Sequence, residues 1–185
     1  MICARIDFPN MGEEHTIRAV EHLKVDALYG KKKHFNAADR KERYNIVIGV
    51  MLITANAVIA SNLIYVIVSD ARTFGAVISL IGFIATVLAI VQAFFNYSRT
   101  VEQHRMVAIK YLRIAKACSR IEAYHRDGIL SAHELRERLD SLAQEYEQIT
   151  ESTACLSTHR KDYENARKGF EDGEERYSLK ESSEE

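Results

Sequence analysis

The sequence predicts an all-α membrane protein: a two-helix transmembrane hairpin carrying a cytosolic helical hairpin or coiled coil. Three observations predict it. Two uncharged apolar runs of about 22 residues lie mid-chain, each enough to cross ~30 Å of hydrocarbon as a helix. Lys and Arg cluster outside the runs and nearly vanish between them. Beyond them, apolar residues recur at helical spacing to about residue 170.

The average composition hides this. The chain has 185 residues, 47% hydrophobic and 28% charged, with a formal net charge of −1. The apolar residues sit in the middle and the charges at both ends. Near-neutral charge argues against a nucleic-acid partner. One proline and no tryptophan suit long helices. Cys3, Cys118 and Cys155 are odd in number and lack framework spacing, so all three read as reduced thiols.

Residues 1–12 read as an irregular N-terminus without the apolar core of a secretory signal. A basic helix is expected over 13–45, with Ile17, Val20, Leu23 and Leu28 as its apolar side. The first membrane segment spans Ile46 to Val68 and the second Phe74 to Phe95. The link, 69–73, is short enough to force a tight antiparallel hairpin. Tyr44 and Tyr97 suit one membrane interface, Tyr65 and Phe74 the other. Lys31, Lys32, Lys33, Arg40, Lys41 and Arg43 precede the first segment, and Arg99 and Arg105 follow the second. Since the link offers only Arg72 beside Asp70, both termini are expected in the cytoplasm, with the lipid bilayer as a partner. The lysine run also suits anionic lipid.

The second segment carries a small-residue seam: Gly75, Ser79, Gly82, Thr86, Ala89, Ala93 and Asn96. Steps of four and three put all seven on one face, and small residues let helices approach closely in lipid. The seam can pack on the first segment, join subunits in a homo-oligomer, or line a water path with Asn56 and Asn62. No residue within the segments is ionisable, which argues against a proton relay.

Nothing in the sequence breaks the second helix before Asp127-Gly128, so one helix is expected from Phe74 through a cytosolic extension, 96–127. Val107, Tyr111, Ile114, Cys118 and Ile121 form its stripe. Ser131 and Glu134 have capping-box spacing and start a helix over 131–170. Its heptad runs through Leu135, Leu139, Leu142, Tyr146, Ile149, Thr153 and Leu156, with Tyr163 and Phe170 continuing it. The acidic, serine-rich tail, 171–185, reads as disordered.

No catalytic, cofactor or metal motif is found. The turn YHRDGILSAHEL has the glycine and final glutamate of a calcium loop, but Ala123 and His125 stand where oxygen ligands are needed. His133-Glu134 lacks the second histidine of a zinc-protease motif, and Gly30 lacks the companion glycine of a phosphate loop. The chain is therefore expected not to be an enzyme.

The segments KKKHFNAADRKERYNIVIG and VQAFFNYSRTVEQHRMVAIKYLRIAKACSRI, flanking the hairpin, resemble the SLATT family, the SMODS and SLOG-associating two-transmembrane effectors. The stretch FFNYSRTVEQHRMVAIKYL, with His104, Arg105 and Tyr111, carries most of the likeness, which covers about Asp26 to Ile149. The basic run is heavier than the family's. The resemblance implies a membrane effector of a bacterial nucleotide-signalled anti-phage system that oligomerises to perforate or depolarise the inner membrane. It also implies a separate nucleotide-signal synthetase or sensor protein as partner. The alternative is an anchor that recruits a partner through its cytosolic coiled coil.

Overall fold

The computed structural model describes residues 11–69 and 75–174, with backbone alone for 11, 12, 62–69, 75 and 76. Cys3, the link residues Asp70 to Phe74 and the tail from 175 lie outside the described residues. The described chain is all-helical: α1 Met11–Ser69, α2 Gly75–Phe95, α3 Tyr97–Arg126, α4 Ala132–Ser152 and α5 Arg160–Glu171. It divides into two compact units. One comprises Met1–Asn36 and His104–Glu185, the other Ala37–Gln103.

The first unit is a helical bundle. The N-terminal part of α1 runs antiparallel to α3: Glu13 lies beside His125, Lys24 bonds Glu122 at 2.6 Å, and His34 meets His104. α4 returns antiparallel along α3, with Arg113 against Glu145 and Arg138 over the Tyr124 ring. The core joins Val20 and Ala27 of α1, Val107, Tyr111, Ile114, Cys118 and Ile121 of α3, and Leu135 and Ile149 of α4. Ile17, Leu23, Leu28, Leu139, Leu142, Tyr146 and Leu156 pack around it. The apolar stripes read from the sequence thus meet in one core, though the 13–45 stripe is the third partner of the expected two-helix coil.

The turn between α3 and α4 is local chemistry. Gly128 takes φ +69°, which glycine adopts without Cβ strain. Ser131 Oγ accepts from the Glu134 backbone N–H at 3.3 Å, and Ser131 N–H donates back to Glu134 Oε2 at 3.0 Å. The bond from Ser131 N–H, with a second from Ser131 Oγ donating to Glu134 Oε2 at 2.8 Å, favours the ionised carboxylate and holds the Glu134 pKa below its usual value.

Three expectations need correction. The helix expected over 131–170 is two helices, α4 and α5. Thr153 Oγ1 donates to Ile149 O at 2.7 Å, and Ser152 Oγ donates to the same carbonyl at 3.0 Å. Such side chains satisfy end carbonyls locally and compete with helix continuation. α5 restarts where Asp162 Oδ2 accepts from His159 N–H at 2.8 Å. Tyr163 and Phe170 therefore belong to a different helix from the Leu135 heptad, and both rings stack on Tyr29 of α1. Residues 171–174, assigned above to the disordered tail, finish α5 and its turn.

The helix expected from Phe74 to Arg126 is likewise divided. Asn96 takes φ 40° between α2 and α3, while Asn96 N–H still reaches Gln92 O and Thr100 N–H reaches Asn96 O. Asparagine tolerates the left-handed region better than most side chains. α1, in contrast, is unbroken from Met11 to Ser69.

Candidate functional site

The second unit pairs the C-terminal part of α1 with α2. α1 turns Asn45, Ile48, Gly49, Leu52, Ala55 and Ile59 inward, and α2 turns Ile78, Ile81, Gly82, Ala85, Leu88 and Gln92. Both sets follow the i, i+3, i+4, i+7 spacing of one helix face. A Cβ added to Gly82 would lie 3.9 Å from Ile59 Cδ1, and Ala85 is 6% exposed. At the end near Asn96, Gln92 Nε2 donates to Asn45 Oδ1 at 3.1 Å, and Asn45 Nδ2 donates to Ser98 Oγ at 3.3 Å. Neither Asn45 nor Gln92 stands out in the sequence, because single amides near a segment end look like ordinary interface residues.

Around this narrow contact the helices are apolar on every side. Ile53 is 72% exposed, Phe83 67% and Phe94 82%. A soluble protein rarely leaves so continuous an apolar surface bare, and lipid accommodates it. Both helices are long and apolar enough to cross a membrane. Their hydroxyls are satisfied internally: Thr54, Ser61 and Thr86 each donate to the carbonyl four residues back.

The structure separates the seam from the intrachain contact. Ser79, Thr86, Ala89, Ala93 and Asn96 are exposed, and only Gly82 is half-covered, beside Ile59. Gly75 is described by its backbone alone. The first segment of the same chain thus packs mainly on Ile78, Ile81, Ala85 and Leu88, about a quarter-turn of helix away at ~100° per residue. Asn56 is exposed and has no hydrogen-bond partner among the described residues. The antiparallel register that sets Gly82 beside Ile59 brings Thr86 level with Asn56. The side chain of Asn62 lies outside the described residues.

The His104, Arg105 and Tyr111 constellation belongs to the bundle. His104 is fully buried, and its Nδ1 lies 3.0 Å from Nδ1 of His34. One ring must donate and the other accept, so at least one imidazole is neutral at that nitrogen. Burial, then Lys33 and His104, push the His34 pKa down to about 4, against a smaller upward pull from Asp162. Tyr111 stacks on His34 and shares a 3.1 Å hydrogen bond with Thr150. Arg105 is exposed.

The basic residues are not a uniform solvated face. Lys32 ion-pairs with Glu174 and lies 5.2 Å from the Phe170 ring centroid. Lys31 and Lys33 are half-buried, as are Arg40 and Lys41, while Arg43 and Arg99 are exposed. Asn36 donates to the backbone carbonyl of Asp162 at 2.9 Å, tying α5 further to α1. Sequence reading missed His34, Asn36 and Asp162 because their partners are 70 or more residues away; Gly30 inside a helix was the one local signal. Among the described residues no three His, Cys, Asp or Glu side chains gather to hold a metal. Cys118 and Cys155 are both free thiols.

Two apolar helices of membrane-spanning length, paired in a hairpin and joined in sequence to a polar helical bundle, define a two-transmembrane helical membrane protein. The chain belongs to SMODS and SLOG-associating 2TM effector domain family 4, whose model matches residues 19–182. The family description makes it a two-transmembrane effector domain associated with SMODS and SLOG systems. No curated protein and no solved structure matches the chain.

Proposed function

We propose that this chain is a non-enzymatic effector of a bacterial nucleotide-signalled anti-phage system that self-assembles through α2 and perforates or depolarises the inner membrane. The observation that carries the reading is the exposed small-residue face of α2, left uncovered by the chain's own hairpin. Small residues on a lipid-facing surface forgo side-chain contacts with lipid, but they allow a second helix to approach closely. Asn56 adds to this, since an amide facing hydrocarbon lacks hydrogen-bond partners that another subunit can supply. Family membership supports the effector role. Charge asymmetry supports cytoplasmic termini, with the bundle facing a separate synthetase or sensor protein. A trigger shifts the assembly only by binding the open arrangement more tightly than the resting one.

Site-directed cross-linking tests the assembly. In a cysteine-free background, Ala89→Cys on the small face and Ile84→Cys on the opposite exposed face are oxidised in native membranes. The reading expects disulfide-linked dimers from Ala89→Cys in clear excess over Ile84→Cys. Equal or absent cross-linking from both positions would argue instead for a monomeric anchor that recruits a partner through the bundle.

A further inference from the structure

The bundle unit carries a half-open pocket of about 360 Å³ between α1, α3, α4 and α5, with Val25, Asp26 and Tyr163 among its exposed lining residues. That volume falls within the ~300–1,000 Å³ typical of small-molecule sites. Four tyrosines line it, one from each helix: Tyr29, Tyr111, Tyr146 and Tyr163. Their positions are braced. The Tyr111 hydroxyl bonds Thr150, Tyr146 tilts against Tyr111 with centroids 5.4 Å apart, and Tyr29 stacks between Tyr163 and Phe170.

Gly30 forms part of the wall. A glycine inside a helix is less favourable than alanine, so its presence needs a local reason. Here a Cβ would lie 3.0 Å from the Tyr111 ring. The missing side chain lets that ring lie against the α1 backbone and leaves the space beside it open.

Two opposite charges complete the lining. Asp26 and Lys33 stand two turns apart on α1, about 10 Å along its axis. Among the described residues neither has a hydrogen-bond or ion-pair partner. The pocket therefore offers an acceptor at one end, a cation at the other and aromatic rings between. Tyr rings hold planar groups by stacking, a carboxylate accepts from N–H donors, and an ammonium binds phosphate or carboxylate as a point charge.

We propose that this pocket binds one small planar ligand: an aromatic ring with N–H donors toward Asp26 and a phosphate or carboxylate toward Lys33. A nucleoside monophosphate and an amino-substituted aromatic acid share that chemistry. The site is independent of membrane perforation, and its test uses no membrane-potential readout.

Full-length protein in lipid nanodiscs is titrated calorimetrically with adenosine monophosphate, 4-aminobenzoate, adenosine and inorganic phosphate. At least one of the two ring-plus-anion probes is expected to bind saturably, tenfold or more tighter than adenosine or phosphate. The one that binds identifies the phosphate or the carboxylate source. Lys33→Met should weaken that probe at least tenfold and leave adenosine unchanged. Tyr163→Ala, at a half-exposed position, should weaken that probe and adenosine alike. An unchanged thermal melt shows that each variant is folded, and Tyr163→Ser replaces Tyr163→Ala if the latter melts early. Absence of saturable binding by both ring-plus-anion probes, or binding indifferent to Lys33→Met, overturns the proposal.

Discussion

His34 is held far from its solution behaviour. Its pKa falls to about 4 because burial opposes the imidazolium and Lys33 and His104 repel it. The unfolded chain, titrating near 6.5, binds a proton that the folded chain refuses. Stability contributed by neutral His34 is therefore complete above about pH 6.5 and is lost as pH falls toward 4, by on the order of 3 kcal/mol. Urea unfolding of the micelle-embedded protein should give a markedly lower midpoint at pH 4.5 than at pH 7. The His34→Gln variant should show a shallower difference, and an equally steep one would move the effect to other groups. Cys118 is altered in the opposite sense: burial, followed by Glu122, raises its pKa to about 11. A maleimide at pH 7 should thus modify exposed Cys155 in the folded protein and reach Cys118 only on unfolding. Equal labelling rates would contradict the buried assignment. At Asn96, the left-handed φ of 40° predicts that Asn96→Gly folds normally, while Asn96→Val is destabilised by about 1–2 kcal/mol. Thermal melts of the two variants decide this.

At the level of elements, strong periodicity was the legible signal. The α3 stripe from Val107 to Ile121 and the α4 heptad through Ile149 both enter the core, since an apolar stripe repeated over several turns has few other places to go. Element ends were less legible. Asn96 turns out of the right-handed region inside an otherwise continuous pattern, and Ser152 and Thr153 end α4 without glycine or proline. The Ser131 cap is the clearest local device. Ser131→Ala should cost about 1 kcal/mol, read as a lower melting temperature, whereas Ser131→Thr, which keeps a hydroxyl able to accept from the Glu134 N–H and donate to its carboxylate, should largely preserve it. The Glu134 part of the cap has a pH sign as well. Its pKa is lowered by Ser131, so its contribution is present above the ordinary carboxylate range and fades as pH falls through the folded value. For α2, the seam was legible as a face, but its neighbour was not. Spacing groups residues by angle, whereas the choice between Ile59 and a second subunit depends on how α1 meets α2, a long-range fact.

For the whole molecule, sequence alone gave the all-helical class and the two apolar spans, because bilayer thickness fixes segment length and internal backbone bonding favours helix. Assembly and trigger depend on partners and follow from no periodicity. The most direct measurement is the membrane potential of cells induced to make the protein alongside its genomic neighbours and challenged with phage, followed with a voltage-sensitive dye. Wild type should depolarise the membrane. A variant with Asn56 and Thr86 both changed to Leu, still inserted in the membrane fraction, should not, because the level pair of polar side chains is gone. An unchanged potential in cells making the wild type under those conditions would contradict the effector account.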